Sequence, residues 1–173
     1  MTQELIDLRN SILEARYTDA LAIVDELEGM SRQAILRQIQ SFLLRLLLHL
    51  IKNQVEQRLT NSWAASISDS IRQIKKLNLQ DNKTAYYVKI EEWEAMIEEE
   101  FEAAIDAASA EVRDGIYNPF ELLEIVDKIQ VMENARKLLA LTYAHSTKDL
   151  PAIVKDNLAQ LPGGEEWKNG RQK

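Results

Sequence analysis

Between Ser31 and Leu59 apolar residues occupy most of the helical circumference, and polar ones interrupt it along one line. Gln38, Ser41, Arg45, His49, Lys52 and Glu56 step by 3, 4, 4, 3 and 4, the spacing of a single helical face. A helix apolar around most of its girth must be covered on several sides. The stretch 31–59 is therefore expected to be the central helix of an all-α bundle of about six or seven helices.

The flanking pattern supplies the rest. Leu5, Leu8, Ile12 and Ala15 predict a first amphipathic helix that ends before Tyr17, and Asp19 to Glu28 a second, short and antiparallel to it. Thr18 is placed to cap that second helix and Gly29 to stop it, with Ser31 capping the central one. After a turn at 60–62, with Asn61 or Ser62 as the cap, Trp63, Ile67, Ile71 and Ile74 recur at helical spacing as a core stripe. Leu77 to Asn82 reads as a loop. Next comes a long helix to about Asp114, along which Tyr86, Ile90, Trp93, Ile97, Phe101, Ala104, Ala108 and Val112 form a seam. The seam either closes the core or pairs with a second copy.

Asn118, Pro119 and Glu121 mark a helix start by cap, first-turn proline and capping-box acid together. Leu122, Ile125, Ile129, Met132 and Leu139 then give that helix an apolar face to about His145, the position where a helix dipole favours a histidine. A last helix is expected from about Asp149 to Gln160. Residues 1–161 thus read as one bundle domain and 162–173 as a disordered tail, with Trp167 its one large apolar residue.

Composition narrows this reading. Five Gly and three Pro suit long helices with short connections, and the absence of cysteine excludes disulfides, thiolate zinc sites and cysteine nucleophiles. The same absence makes a reducing, cytoplasmic setting the expected one, and the opening Met1 to Asp7 carries acids where a signal peptide carries bases, so no signal peptide is expected. The apolar run 42–51 is shorter than the ~20 residues of a membrane span and contains Arg45 and His49, so no span is expected. Net charge is −7, and residues 81–173 hold the whole excess at −8 against +1 for residues 1–80. An acidic half disfavours nucleic acid as a partner.

Two constellations bear on chemistry. Arg45 and His49, at i and i+4 with Lys52 beyond, could hold a phosphate beside a general acid or base, as metal-independent RNA cleavage requires. HEPN-type nucleases separate that pair by four to six residues, and Leu46–Leu48 supply three. A polar edge on a buried helix is the plainer reading. If the three residues formed a site, they would have to meet in an open, positive groove. Glu94, Glu98, Glu102 and Asp106 form a row at i+4 spacing, either a carboxylate metal site or a solvated face paired with basic residues of neighbouring helices. His49 and His145 lack the Glu-x-x-His context of di-iron bundles, and no phosphate loop, nucleophile elbow or EF-hand loop occurs.

Arg16-Tyr17, the acidic 25–28 stretch before Gly29, Ser31, the run Leu47-Leu-His-Leu-Ile-Lys-Asn-Gln54, and Ser62-Trp63 with Ile67, Arg72 and Ile74 resemble a bacterial family. It is the domain-of-unknown-function family numbered twenty-nine, small helical proteins common in photosynthetic species. The resemblance covers Arg16 to Ile74 and implies a helical fold and no established activity. It makes His49, Lys52, Ser62 and Trp63 motif positions, while the acidic and last helices are expected to depart from the family. The sequence as a whole reads as a helical protein-interaction or assembly module, self-associating, with no catalytic signature and no cofactor. The alternative is an RNA-binding or RNA-cleaving protein using Arg45, His49 and Lys52.

Overall fold

The long apolar face of the central segment is satisfied by a helix that starts earlier than the punctuation suggests. In the computed structural model, which describes residues 2–80 and 84–170, helix α2 runs unbroken from Tyr17 to Glu56. Gly29 does not stop it: the residue sits mid-helix, and a methyl group added there would meet nothing within 4 Å. Glycine in a helix costs only about 1 kcal/mol against alanine, too little to break a run that is otherwise favourable on both sides. Neither Thr18 nor Ser31 begins a helix, and the stretch 19–28 is the first part of α2.

The chain divides into two units, residues 1–38 and 39–173, and α2 crosses the boundary. In the first unit α1 (Gln3–Leu13) joins α2 through Glu14, Ala15 and Arg16. Ala15 takes a left-handed conformation, the Arg16 amide donates to the Ser11 carbonyl, and the Arg16 guanidinium bridges Glu14 and Asp19. Among the described residues of this unit only Ser11 and Ala20 are buried.

The second unit holds the core. Ile39, Leu43, Leu46, Leu47, Leu50 and Ile51 of α2 are fully buried, as the circumferential apolar pattern requires. Helix α3 (Asn61–Asn78) follows and buries Trp63, Ile67, Ile71 and Ile74. Its cap is Thr60, whose hydroxyl accepts from the Trp63 amide at 3.1 Å, so neither Asn61 nor Ser62 has that role. The expected loop ends partly outside the described residues, at Asp81 and Asn82. Tyr86 then lies in an extended segment bridged to Leu79, before a short 3-10 turn (Ile90–Glu92) leads into α4 (Trp93–Ser109). The acidic helix thus starts later and ends earlier than the periodicity predicts.

Its seam is internal. Trp93, Ile97, Phe101, Ala104, Ala108 and Val112 are buried within the single chain, while Ile90 is exposed. Beyond Ser109, left-handed Arg113, Asp114 and Gly115 turn the chain into α5 (Pro119–Ile125), which starts with the expected Asn118–Glu121 capping box. Helix α6 (Lys128–Ala144) begins anew because Asp127 accepts from the Gln130 amide as its own cap. This break shifts the helical phase, so Leu122 and Leu139 are buried but Ile125 and Ile129 are exposed. Helix α7 (Leu150–Leu158) packs on α3 and α6, α4 packs on α5 and α6, and α3 on α6.

The stretch expected to be a disordered tail differs as far as Gly170. It forms α8 (Gly164–Lys168), and the Trp167 indole N–H donates to Asn61 Oδ1 at 2.8 Å. Residues 171–173 lie outside the described residues. By length and composition α2 is the one described helix able to cross a membrane, and a third of its most apolar window is buried in the chain.

Candidate functional site

The polar line of α2 reaches several elements of the second unit. Arg45 donates through Nη1 to Asp69 Oδ2 at 3.0 Å and through Nη2 to Ser66 at 3.2 Å, both on α3. Asp69 also accepts from Arg72 at 2.5 Å, and that hydrogen bond is the main cause holding its carboxyl below the usual range. Lys52, nearly buried, donates to Glu111 Oε2 at 2.7 Å, and its Nζ lies 4.8 Å from the centre of the Trp63 ring. Arg58 places a second cation 4.7 Å from the same ring. Such contacts contribute about 0.5–2 kcal/mol, more when desolvated.

His49 lies between these two pairs. Burial, with the charge of Lys52 next and that of Arg45 smaller, lowers its pKa to about 4, against a weaker opposing pull from Glu111. The imidazole is therefore neutral at physiological pH, and its buried Nδ1 has no hydrogen-bond partner among the described residues. Arg45 and Lys52 each hold a carboxylate. A neutral histidine between two cations that are each paired with a carboxylate is a poor match for phosphoryl chemistry.

The same junction contains residues that the spacing argument missed. Asn53, fully buried, donates both amide hydrogens to backbone carbonyls, Arg58 at 2.9 Å and Pro162 at 2.7 Å. It ties the end of α2 to the turn before α3 and to the C-terminal segment. Its place in the family-like run beside Lys52 was the available signal. Glu111 had none, since it is 59 positions from Lys52. A second knot joins Asn78, Val88, Trp93 and Tyr143. Asn78 exchanges hydrogen bonds with both backbone groups of Val88, and the Tyr143 hydroxyl accepts from the Trp93 indole at 2.6 Å. Burial raises the Tyr143 pKa, so this hydroxyl stays protonated and donates to the Val88 carbonyl.

Of the acidic row, Glu94 pairs with Arg136 at 3.5 Å and Glu98 with Lys128 at 2.5 Å, joining α4 to α6. Glu102 and Asp106 are exposed. Among the described residues no three carboxylate or histidine side chains converge in a way that could hold a metal ion. His145 ends α6 as its C-cap, and Ser62 is exposed.

These features describe an all-α protein whose motif residues tie helices together. The chain matches the family described as Domain of unknown function DUF29 over residues 2–127, and it belongs to that family. The match extends well beyond 16–74 and includes the acidic helix, which is therefore not a departure from the family. No curated protein matches the chain. No solved structure does either.

Proposed function

We propose that this protein is a non-enzymatic assembly module in which two copies pair through their N-terminal helices. One observation carries the reading. Residues 2–38 leave Leu5, Ile12, Leu13, Tyr17, Leu21 and Met30 exposed, with Leu13 at 73% and Leu21 at 64% of full exposure. A stretch that buries only a serine and an alanine has no core of its own, and so many exposed large apolar side chains mark an interaction site.

Charge favours a second copy as the occupant. The acids Asp25, Glu26 and Glu28 precede Arg32 and Arg37 along α2. Antiparallel pairing of two such helices sets the acidic stretch of each copy against the arginine end of the other. An anionic bilayer is a poorer fit for a surface carrying Glu4, Asp7, Asp19 and the 25–28 acids. A chain without cysteine suits a reducing, cytoplasmic setting.

Light scattering coupled to size exclusion tests this at low micromolar concentration. A dimer is expected, with Leu13→Asp and Leu21→Asp each monomeric at unchanged helical circular dichroism. Loss of one buried leucine contact, about 1.5–3 kcal/mol, weakens pairing roughly 10- to 150-fold. A wild-type monomer, or dimers indifferent to both substitutions, would overturn the reading.

A further inference from the structure

The second unit has two unexplained surface features that fit one another. A cleft of about 210 Å³ opens between α3 and α7, below the ~300–1,000 Å³ of ordinary ligand pockets but large enough for one bulky side chain. Ala65, Leu150 and Val154 give it apolar walls, and Arg72, Lys75 and Lys155 supply cations. Asp69 also lines it, but that carboxylate is already held by Arg45 and Arg72. Lys155 has no ion pair among the described residues. The cleft thus combines an apolar floor with a net positive rim.

On α5 the pattern is reversed. Phe120 is 82% exposed, with Ile116 and Leu123 also exposed, and Glu121 and Glu124 lie between and beside them. Glu121 closes its own capping box, whereas Glu124 has no ion pair among the described residues. An aromatic left this far in water on a seven-residue helix contributes little to the fold. It is an apolar knob with an acidic flank.

We infer that Phe120 of one copy seats in the α3–α7 cleft of a second copy, with Glu124 against Lys155 and the Lys75 side of the rim. Because the cleft and the knob lie on different elements, one such contact leaves a free knob on one copy and a free cleft on the other, to be filled reciprocally in a two-fold dimer or by further copies. In the second case the copies link head to tail, into a closed ring or an open chain. The inference uses residues of the second unit only and does not rest on pairing of the N-terminal helices.

The test uses the full chain carrying Leu21→Asp, so that N-terminal pairing is read separately from this contact. Sedimentation velocity is run at rising concentration up to about 1 mM, where weak contacts register. The Leu21→Asp chain is expected to associate, while adding Phe120→Asp or Ala65→Trp abolishes association. Both positions are exposed, and circular dichroism checks that each variant folds. Mixing the two variants is the decisive step. The first keeps an open cleft and the second an intact knob, so a one-to-one complex is expected from two monomers. Lys155→Glu alone should weaken association at least 10-fold, and Lys155→Glu with Glu124→Lys in one chain should restore it. A mixture that stays monomeric, or association indifferent to Phe120→Asp and Ala65→Trp, would overturn the contact while leaving the N-terminal reading untouched.

Discussion

Gly163 and Gly164 show how tightly single residues are held where the C-terminal segment meets the end of α2. Gly163 is left-handed, and a methyl group there would lie 2.6 Å from Arg58 Cα; on Gly164 it would lie 2.4 Å from the Leu158 carbonyl oxygen. Both obstacles are backbone and cannot swing aside. Gly164→Ala is therefore expected to cost about 2–4 kcal/mol, read as a shift in the urea midpoint, against about 1 kcal/mol for Gly170→Ala, where nothing lies within 4 Å and only the left-handed backbone resists a side chain. His49 gives a second expectation. Its folded pKa of about 4 lies below the ordinary 6.5, so between those values the unfolded chain holds a proton that the folded chain lacks. Stability conferred by the neutral imidazole is complete above pH 6.5 and declines as pH falls toward 4. His49→Leu should lose less stability than the wild type between pH 7 and pH 4.5, and equal losses would refute the assignment. At this scale the sequence indicated positions but not roles. His49, Lys52 and Trp63 stood out by spacing and resemblance, yet Thr60 rather than Ser62 makes the cap. Glu111 finds Lys52 across a separation that no local pattern encodes.

Among elements, apolar periodicity located most helices and misjudged their ends. Gly29 looked like a stop because glycine often is one. Inside a helix its penalty is small, and Gly29→Ala should raise the melting free energy by about 0.5–1 kcal/mol without changing helix content much. The opposite error occurred at Asp127. The apolar stripe from Leu122 to Leu139 runs through a point where an aspartate starts a fresh helix. Removing that cap with Asp127→Ala should cost about 1 kcal/mol by thermal or urea denaturation, more than Asp127→Asn, which keeps the acceptor. Side-chain caps compete with periodicity over only a few residues, so a stripe averaged over a long window hides them.

For the whole molecule, the seam along α4 that could have served a dimer is consumed by the chain's own core. The large apolar residues left exposed lie elsewhere: Leu5 and Ile12 of the stripe predicted for the first helix, and Phe120 on α5, which no predicted stripe includes. Amphipathicity reports that a face needs covering and says nothing about which body covers it. The all-α class and the central helix were readable for that reason, and what covers the exposed faces was not. The undivided course of α2 through both units has a further consequence for amide hydrogen exchange. Amides from about Gly29 to Gln38 are held by helical bonds alone, on a stretch with few buried neighbours, so they exchange through local fraying. Those from Leu43 to Ile51 are sealed by the core and exchange only when the second unit opens. One continuous helix should therefore show two exchange regimes, with the step near the boundary at residue 38. If two copies pair through the N-terminal helices, raising the protein concentration should slow exchange on the N-terminal side of that step and leave the other side unchanged.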